Sequence, residues 1–99
     1  MIARHWRGLA KPSRAGDYVD HLRKETFPQL LLIAGFVDAS ILRRTVENGV
    51  EFLVVTRWTS LAAIRQFAGR ETDSAVVPPA VQAMMIEYDP RVRHYDIIG

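Results

Sequence analysis

The chain has no cysteine, and only two of its thirteen basic residues, Lys11 and Lys24, are lysines. Without cysteine there are no disulfides, no thiolate nucleophiles and no thiolate-bound zinc. A reducing compartment is permitted, and the cytoplasm is the expected location. No apolar run approaches the roughly 20 residues of a membrane-spanning helix. The opening MIARHWRG carries no apolar core of a secretory signal, so no membrane partner is expected. The formal charge is only +2 and the arginines are scattered. A nucleic-acid binder would show a basic run or stripe tracking a phosphate backbone, and none is present. A serine triad, a phosphate-binding glycine loop, a GxGxxG turn, HExxH and an EF-hand loop are all missing. Histidines without a third ligand or a carboxylate at fixed spacing make no metal site, so neither metal nor cofactor is expected.

What is present is a chain of 99 residues, 48% hydrophobic, enough for one domain over residues 1–99 with a real core. Its organising stretch is VEFLVVTRWTSLAAIRQFAG, residues 50–69. Strand side chains alternate, so Phe52, Val54, Thr56 and Trp58 share one face and Leu53, Val55 and Arg57 the other. Both faces are largely apolar and both need covering. Ser60 punctuates the stretch, and Leu61, Ile64, Phe67 and Ala68 follow on a helical stripe.

A first strand is predicted over 2–8, with Ile2, Arg4 and Trp6 on one face and Ala3, His5 and Arg7 on the other. Ser13 is a suitable N-cap for a helix over 14–26, where Ala15, Tyr18, Val19 and Leu22 form the buried stripe. Pro28 must break or kink that helix, because it lacks an amide and clashes with the preceding turn. A second strand over 36–45 leads to Asn48-Gly49, a type I′ hairpin signal that sets Glu47 opposite Val50. Arg57 then lies opposite Ser40 with Asp38 one step away, placed for a cross-strand ion pair. Ser74 to Val77 reads as a helical turn. Ala80, Val81, Met84 and Met85 form an apolar stripe behind Pro78-Pro79, and a last strand is predicted over 91–98.

The order strand, helix, strand, strand, helix, strand is met most simply by the ferredoxin-like α+β fold, βαββαβ with a four-stranded antiparallel sheet. Its helices cover one face only. The other face of the central strand then calls for a second chain, and a homodimer packed sheet to sheet is the expected assembly.

Several pieces of the chain resemble the antibiotic biosynthesis monooxygenase family of dimeric α+β barrels. They are the MIARHWRG strand, the Gly35-Phe36 start of the second strand, the run Phe52–Ser60 (FLVVTRWTS), AIRQFAG at 63–69, Ala75-Val76-Val77-Pro78, and Val92-Arg93-His94-Tyr95. The resemblance implies the same fold, a dimer whose sheets form a barrel, and oxygenation of phenols or anthrones without metal or flavin. A heme-degrading branch of the family relies on an asparagine, a tryptophan and a histidine. Those positions fall near Trp6, Phe67 and Val77, none of which matches, so that branch is excluded.

Cofactor-free oxygenation needs an electron-rich aromatic substrate, a base, an oxyanion donor and a dry site. His5 and His94 are the candidate catalytic residues. Trp6, Tyr18, Trp58 and Phe67 are the candidate substrate-binding walls. Each has a plainer role: core packing for Trp58, Phe67 and Tyr18, hydrogen-bonded structure for the histidines. One parity of the Arg4-His5-Trp6-Arg7 run either pairs with carboxylates at a dimer interface or lines a ligand cavity. His21 is expected to face solvent. The expected function is a cofactor-independent monooxygenase acting on a small aromatic phenol or quinol. The alternatives are a non-catalytic small-molecule binding module and an isomerase or cyclase on the same fold.

Overall fold

The computed structural model describes all 99 residues. In chain order the elements are β1 (Ile2–Ala10), α1 (Ala15–His21), a π turn (Leu22–Thr26), α2 (Phe27–Leu30), β2 (Phe36–Val46), β3 (Gly49–Trp58), α3 (Leu61–Ala68), α4 (Pro79–Gln82), β4 (Met85–Tyr88) and β5 (Arg93–Asp96). The strands form one antiparallel sheet in the order β2-β3-β1-β4, with β5 also paired to β1. This is the ferredoxin-like α+β arrangement with β1 and β3 central. No helix is long and apolar enough to cross a membrane.

The sheet's last position is shared by two short strands, where the sequence pattern predicted one over 91–98. β4 lies along Gly8–Ala10 and β5 along Ile2–His5. Pro90, between them, has no amide to give to β1. Its carbonyl instead accepts from the Ala75 amide at 2.9 Å, and the Val92 amide donates to the Asp73 carbonyl at 2.7 Å. These bonds tie the irregular segment 70–78 to the sheet edge. The segment contains no helical turn at 74–77. Met85 belongs to β4 and not to a helical stripe, although Met84 and Met85 are both buried as an apolar stripe requires.

The helix over 14–26 is present with two differences. Ser13 lies in a 3₁₀ turn and caps nothing. The break forced by Pro28 takes the form of a π turn that runs directly into α2, so the chain stays helical through Leu30. The hairpin register also differs by two residues. Val46 pairs with Gly49, Ile41 with Val54 and Ala39 with Thr56, leaving Glu47-Asn48 as the loop. No non-glycine residue has positive φ, and Gly49 does not either, so the turn is not type I′. Gly49 is needed for another reason. A Cβ there would lie 2.5 Å from the Ala10 carbonyl oxygen of the neighbouring strand. A shift of two preserves the faces, because strand side chains repeat every two residues. Past a bulge between Phe36 and Asp38, Arg57 sits opposite Asp38 and pairs with it at 2.8 Å.

Even-numbered residues of β1 and β3 face the helices. Two core clusters sit there: Trp6, Tyr18, Leu22, Phe52 and Val54 with the methionines and Val92, and Leu30, Trp58, Ala63 and Ile64 under α3. Ser60 starts α3 as its N-cap, its Oγ accepting from the Ala63 amide at 3.2 Å. The odd-numbered face has no helix on it. It carries Leu53, Val55, the half-exposed Leu42 and Tyr95, and the paired charges Arg7, Arg44 and Glu51.

Candidate functional site

β1 and β3 present alternate side chains to the space beneath the helices, and these side chains meet α1, the π turn and α3 across a cavity of about 50 Å³. Arg4, Trp6, Val54 and Thr56 form its floor. Tyr18, Thr26, Phe27, Leu30, Phe67 and Val76 enclose it from above and at the side. Three of the four residues expected to bind substrate, Trp6, Tyr18 and Phe67, therefore line one cavity. Trp58 stands behind it. Its ring is fully buried, stacks on Phe67 at 6.2 Å, and is held by a 2.8 Å bond from Nε1 to Thr56 Oγ1.

Trp6 is fixed on both sides. Its Nε1 donates to the Asp89 carbonyl at 3.1 Å, and its ring lies 5.8 Å from that of Tyr18. The ring also passes over Gly8, where a Cβ would come within 2.9 Å of Trp6 Cζ3. Burial alone holds the Tyr18 phenol well above its usual range, so at neutral pH it is a protonated hydroxyl.

Arg4 is the residue that the sequence pattern undervalued. It is only 5% exposed, yet it faces no carboxylate. Nη2 donates to the Ser74 carbonyl at 2.8 Å, the guanidinium lies 5.5 Å over the Phe67 ring, and Nε is buried without an acceptor. Burial pushes its pKa down to about 10. An arginine is rarely buried without a carboxylate, since the lost hydration is large, and here only a carbonyl bond and an aromatic ring offset it. The available signal was Arg4 at the same strand parity as Ile2 and Trp6.

The two candidate catalytic histidines lie on opposite faces of the sheet. His94 is directly across from Arg4 on the helix side. Its Nε2 is buried without a hydrogen-bond partner. Desolvation lowers its pKa, the positive charge of Arg4 lowers it further, and Asp73 partly opposes this. His94 is therefore neutral at pH 7. His5 points to the open face, where its ring lies 4.9 Å from Tyr95. Burial, then the charge of Arg57, lowers its pKa. The sheet separates it from the cavity. Arg7, also on the open face, pairs with Glu51 at 2.9 Å, so the run divides by parity: Arg7 finds a carboxylate and Arg4 does not. His21 is half-buried in the wall of an adjoining pocket, not simply in solvent. No group of three or more histidine, aspartate or glutamate side chains is arranged to hold a metal ion.

No family model matches the chain, and no curated protein matches it by sequence. Solved structures do. A protein from Bacillus cereus assigned by name as an antibiotic biosynthesis monooxygenase matches at TM-score 0.65 and 21% identity, over 99% of this chain and 91% of that one. A second antibiotic biosynthesis monooxygenase matches over the whole of both chains at TM-score 0.69 and 19% identity. A conserved protein from Methanosarcina mazei Go1 matches at TM-score 0.68 and 14% identity, over 95% of this chain and 89% of that one. The ferredoxin-like α+β fold of this chain is the fold of the antibiotic biosynthesis monooxygenases.

Proposed function

We propose that the protein is a cofactor-independent monooxygenase acting on an electron-rich phenol or quinol, and that it works as a homodimer. The observation that carries this reading is Arg4, a buried cation without a counter-ion beside an aromatic-walled cavity. A charge in that position is stabilised when a substrate oxyanion arrives, and the same contact favours ionisation of the substrate. Neutral His94, across from Arg4, is the candidate base. Trp6, Tyr18 and Phe67 hold a flat ring and exclude water. The anion passes one electron to dioxygen, and the substrate radical and superoxide combine at carbon. For an anthrone, the keto tautomer of such a phenol, loss of water from the resulting hydroperoxide converts the ring CH₂ and O₂ into a carbonyl and H₂O.

Oxygen uptake with a panel of anthrones and hydroquinones tests the reading. Substrate-dependent uptake should fall in Trp6→Ala and His94→Ala. Equal uptake in wild type and both variants would refute it. The small size of the cavity favours a second reading, a binding module without chemistry. A ligand that raises the melting temperature and is never turned over would select it. The dimer reading rests on the helix-free face with Leu42, Leu53 and Tyr95. Light scattering should give about twice the 11.2 kDa of one chain, and a mass near that of one chain would end the dimer reading.

A further inference from the structure

The cavity above Arg4 has a neighbour. A second pocket of about 140 Å³ opens beside it, lined by His21, Glu25, Gln29 and Pro78 together with Thr26, Phe67 and Val76. Those last three side chains also line the inner cavity. Alone, the inner cavity is far below the roughly 150 Å³ that accommodates a benzene ring, but the two spaces joined exceed it. Those three side chains form the neck between the two spaces, and Val76 is the one with room to move. Val76 is 43% exposed and belongs to the irregular segment 70–78, and Thr26 ends the π turn. π turns recur at functional sites, because a local change of helical register moves side chains without unfolding the helix.

We propose that the two spaces are one ligand channel, which takes a planar aromatic compound bearing a single oxyanion, inserted anion first so that the oxyanion meets Arg4. This rests on the reading of the same cavity as a site for a substrate oxyanion, and it adds the outer space and the ligand's direction of entry. The inner end supplies a guanidinium whose Nε has no acceptor and whose Nη2 is anchored to the Ser74 carbonyl. No carboxylate lines the inner space to repel an anion. The outer end carries Glu25, which disfavours the reverse orientation. Trp6, Tyr18 and Phe67 supply the aromatic lining of the inner space, and Phe67 continues it into the outer one.

The test is calorimetric titration with 2-naphthoate and its neutral counterpart 2-naphthamide, against wild type, Arg4→Met and Val76→Trp. Wild type should bind the acid about tenfold or more tightly than the amide, as a charge-assisted hydrogen bond provides. Arg4→Met should lose that preference and still bind the amide, which also shows that it is folded. Val76→Trp, which fills the neck from an exposed position, should lose both ligands. Equal affinity for acid and amide in wild type would overturn the proposal. So would unchanged acid binding in Arg4→Met, unchanged binding of both ligands in Val76→Trp, or binding of neither ligand to wild type. If Arg4→Met does not fold, wild-type selectivity and Val76→Trp still decide. Acid-selective binding without oxygen uptake on any anthrone would leave the channel standing and remove the monooxygenase. Oxygen uptake without acid selectivity would do the reverse.

Discussion

Replacing Arg4 by methionine separates a structural arginine from one held ready for a ligand. The charged side chain is destabilised in the fold, since burial lowers its pKa from 12.5 to about 10. A shift of that size corresponds to about 3 kcal/mol against the charged form. Opposing it are the bond to the Ser74 carbonyl at 2.8 Å, worth roughly 1.5–3 kcal/mol for a charged donor, and the stack on Phe67, worth roughly 0.5–2 kcal/mol. The terms nearly cancel. Methionine keeps most of the volume, adapts to irregular space, and needs no hydration. Ser74 is half-buried, so water can replace the lost donor at its carbonyl. Arg4→Met should therefore change stability by less than about 1.5 kcal/mol in either direction, a shift of under about 10 °C for a domain of this size. Breaking a buried ion pair would instead cost about 3–5 kcal/mol. Urea denaturation followed by circular dichroism measures the difference. A loss above about 3 kcal/mol would show that Arg4 anchors the fold, and the reasoning that reserves it for an anion would fail.

Three further outcomes follow from other parts of the molecule. Gly8→Ala would drive a methyl group into the Trp6 indole, whose Nε1 is tied to Asp89. Overpacking should cost about 1–3 kcal/mol in urea denaturation and displace the cavity wall, and an unchanged midpoint would contradict the placement of Trp6. Ser60→Ala removes the N-cap of α3 and should cost about 1 kcal/mol, which a Ser60→Asp variant should largely restore. His5 and His94 both have pKa values lowered in the fold, so the unfolded chain binds protons that the native state resists. Stability should then fall as pH drops from 7 to 5.5, read as a declining melting temperature. The decline should be smaller in His94→Gln, and a flat profile in wild type would refute the burial of these histidines.

The sequence pattern was most informative where local chemistry and burial agree. Alternation in β3 identified its inward and outward sides, Ser60 marked the start of α3, and Asp38 and Arg57 were placed for the pair they form. Boundaries were poorer where a long-range contact decides. The hairpin turn was misread because Gly49 serves the approach of Ala10, a strand distant in sequence, and not a positive φ. The last strand was misread because β1 extends to Ala10 and recruits Met85–Tyr88, leaving Pro90 as an interruption within one sheet edge. In the site, aromatic composition pointed to Trp6, Tyr18 and Phe67. The two histidines, alike in the sequence, fell on opposite faces.

The sequence by itself determined the order of elements as far as α3, the ferredoxin-like sheet, the absence of thiol chemistry and the aromatic character of the helix-facing side. These depend on residue type and on a period of two or of 3.6, both local properties. Only the tertiary structure decided that Arg4 is buried without a counter-ion, that His94 and not His5 shares its side of the sheet, and that two pockets meet at Thr26, Phe67 and Val76. Those facts depend on which strands become neighbours and on what is missing from a side chain's surroundings. The lack of a partner for a buried charge becomes visible only when every element around it is in place.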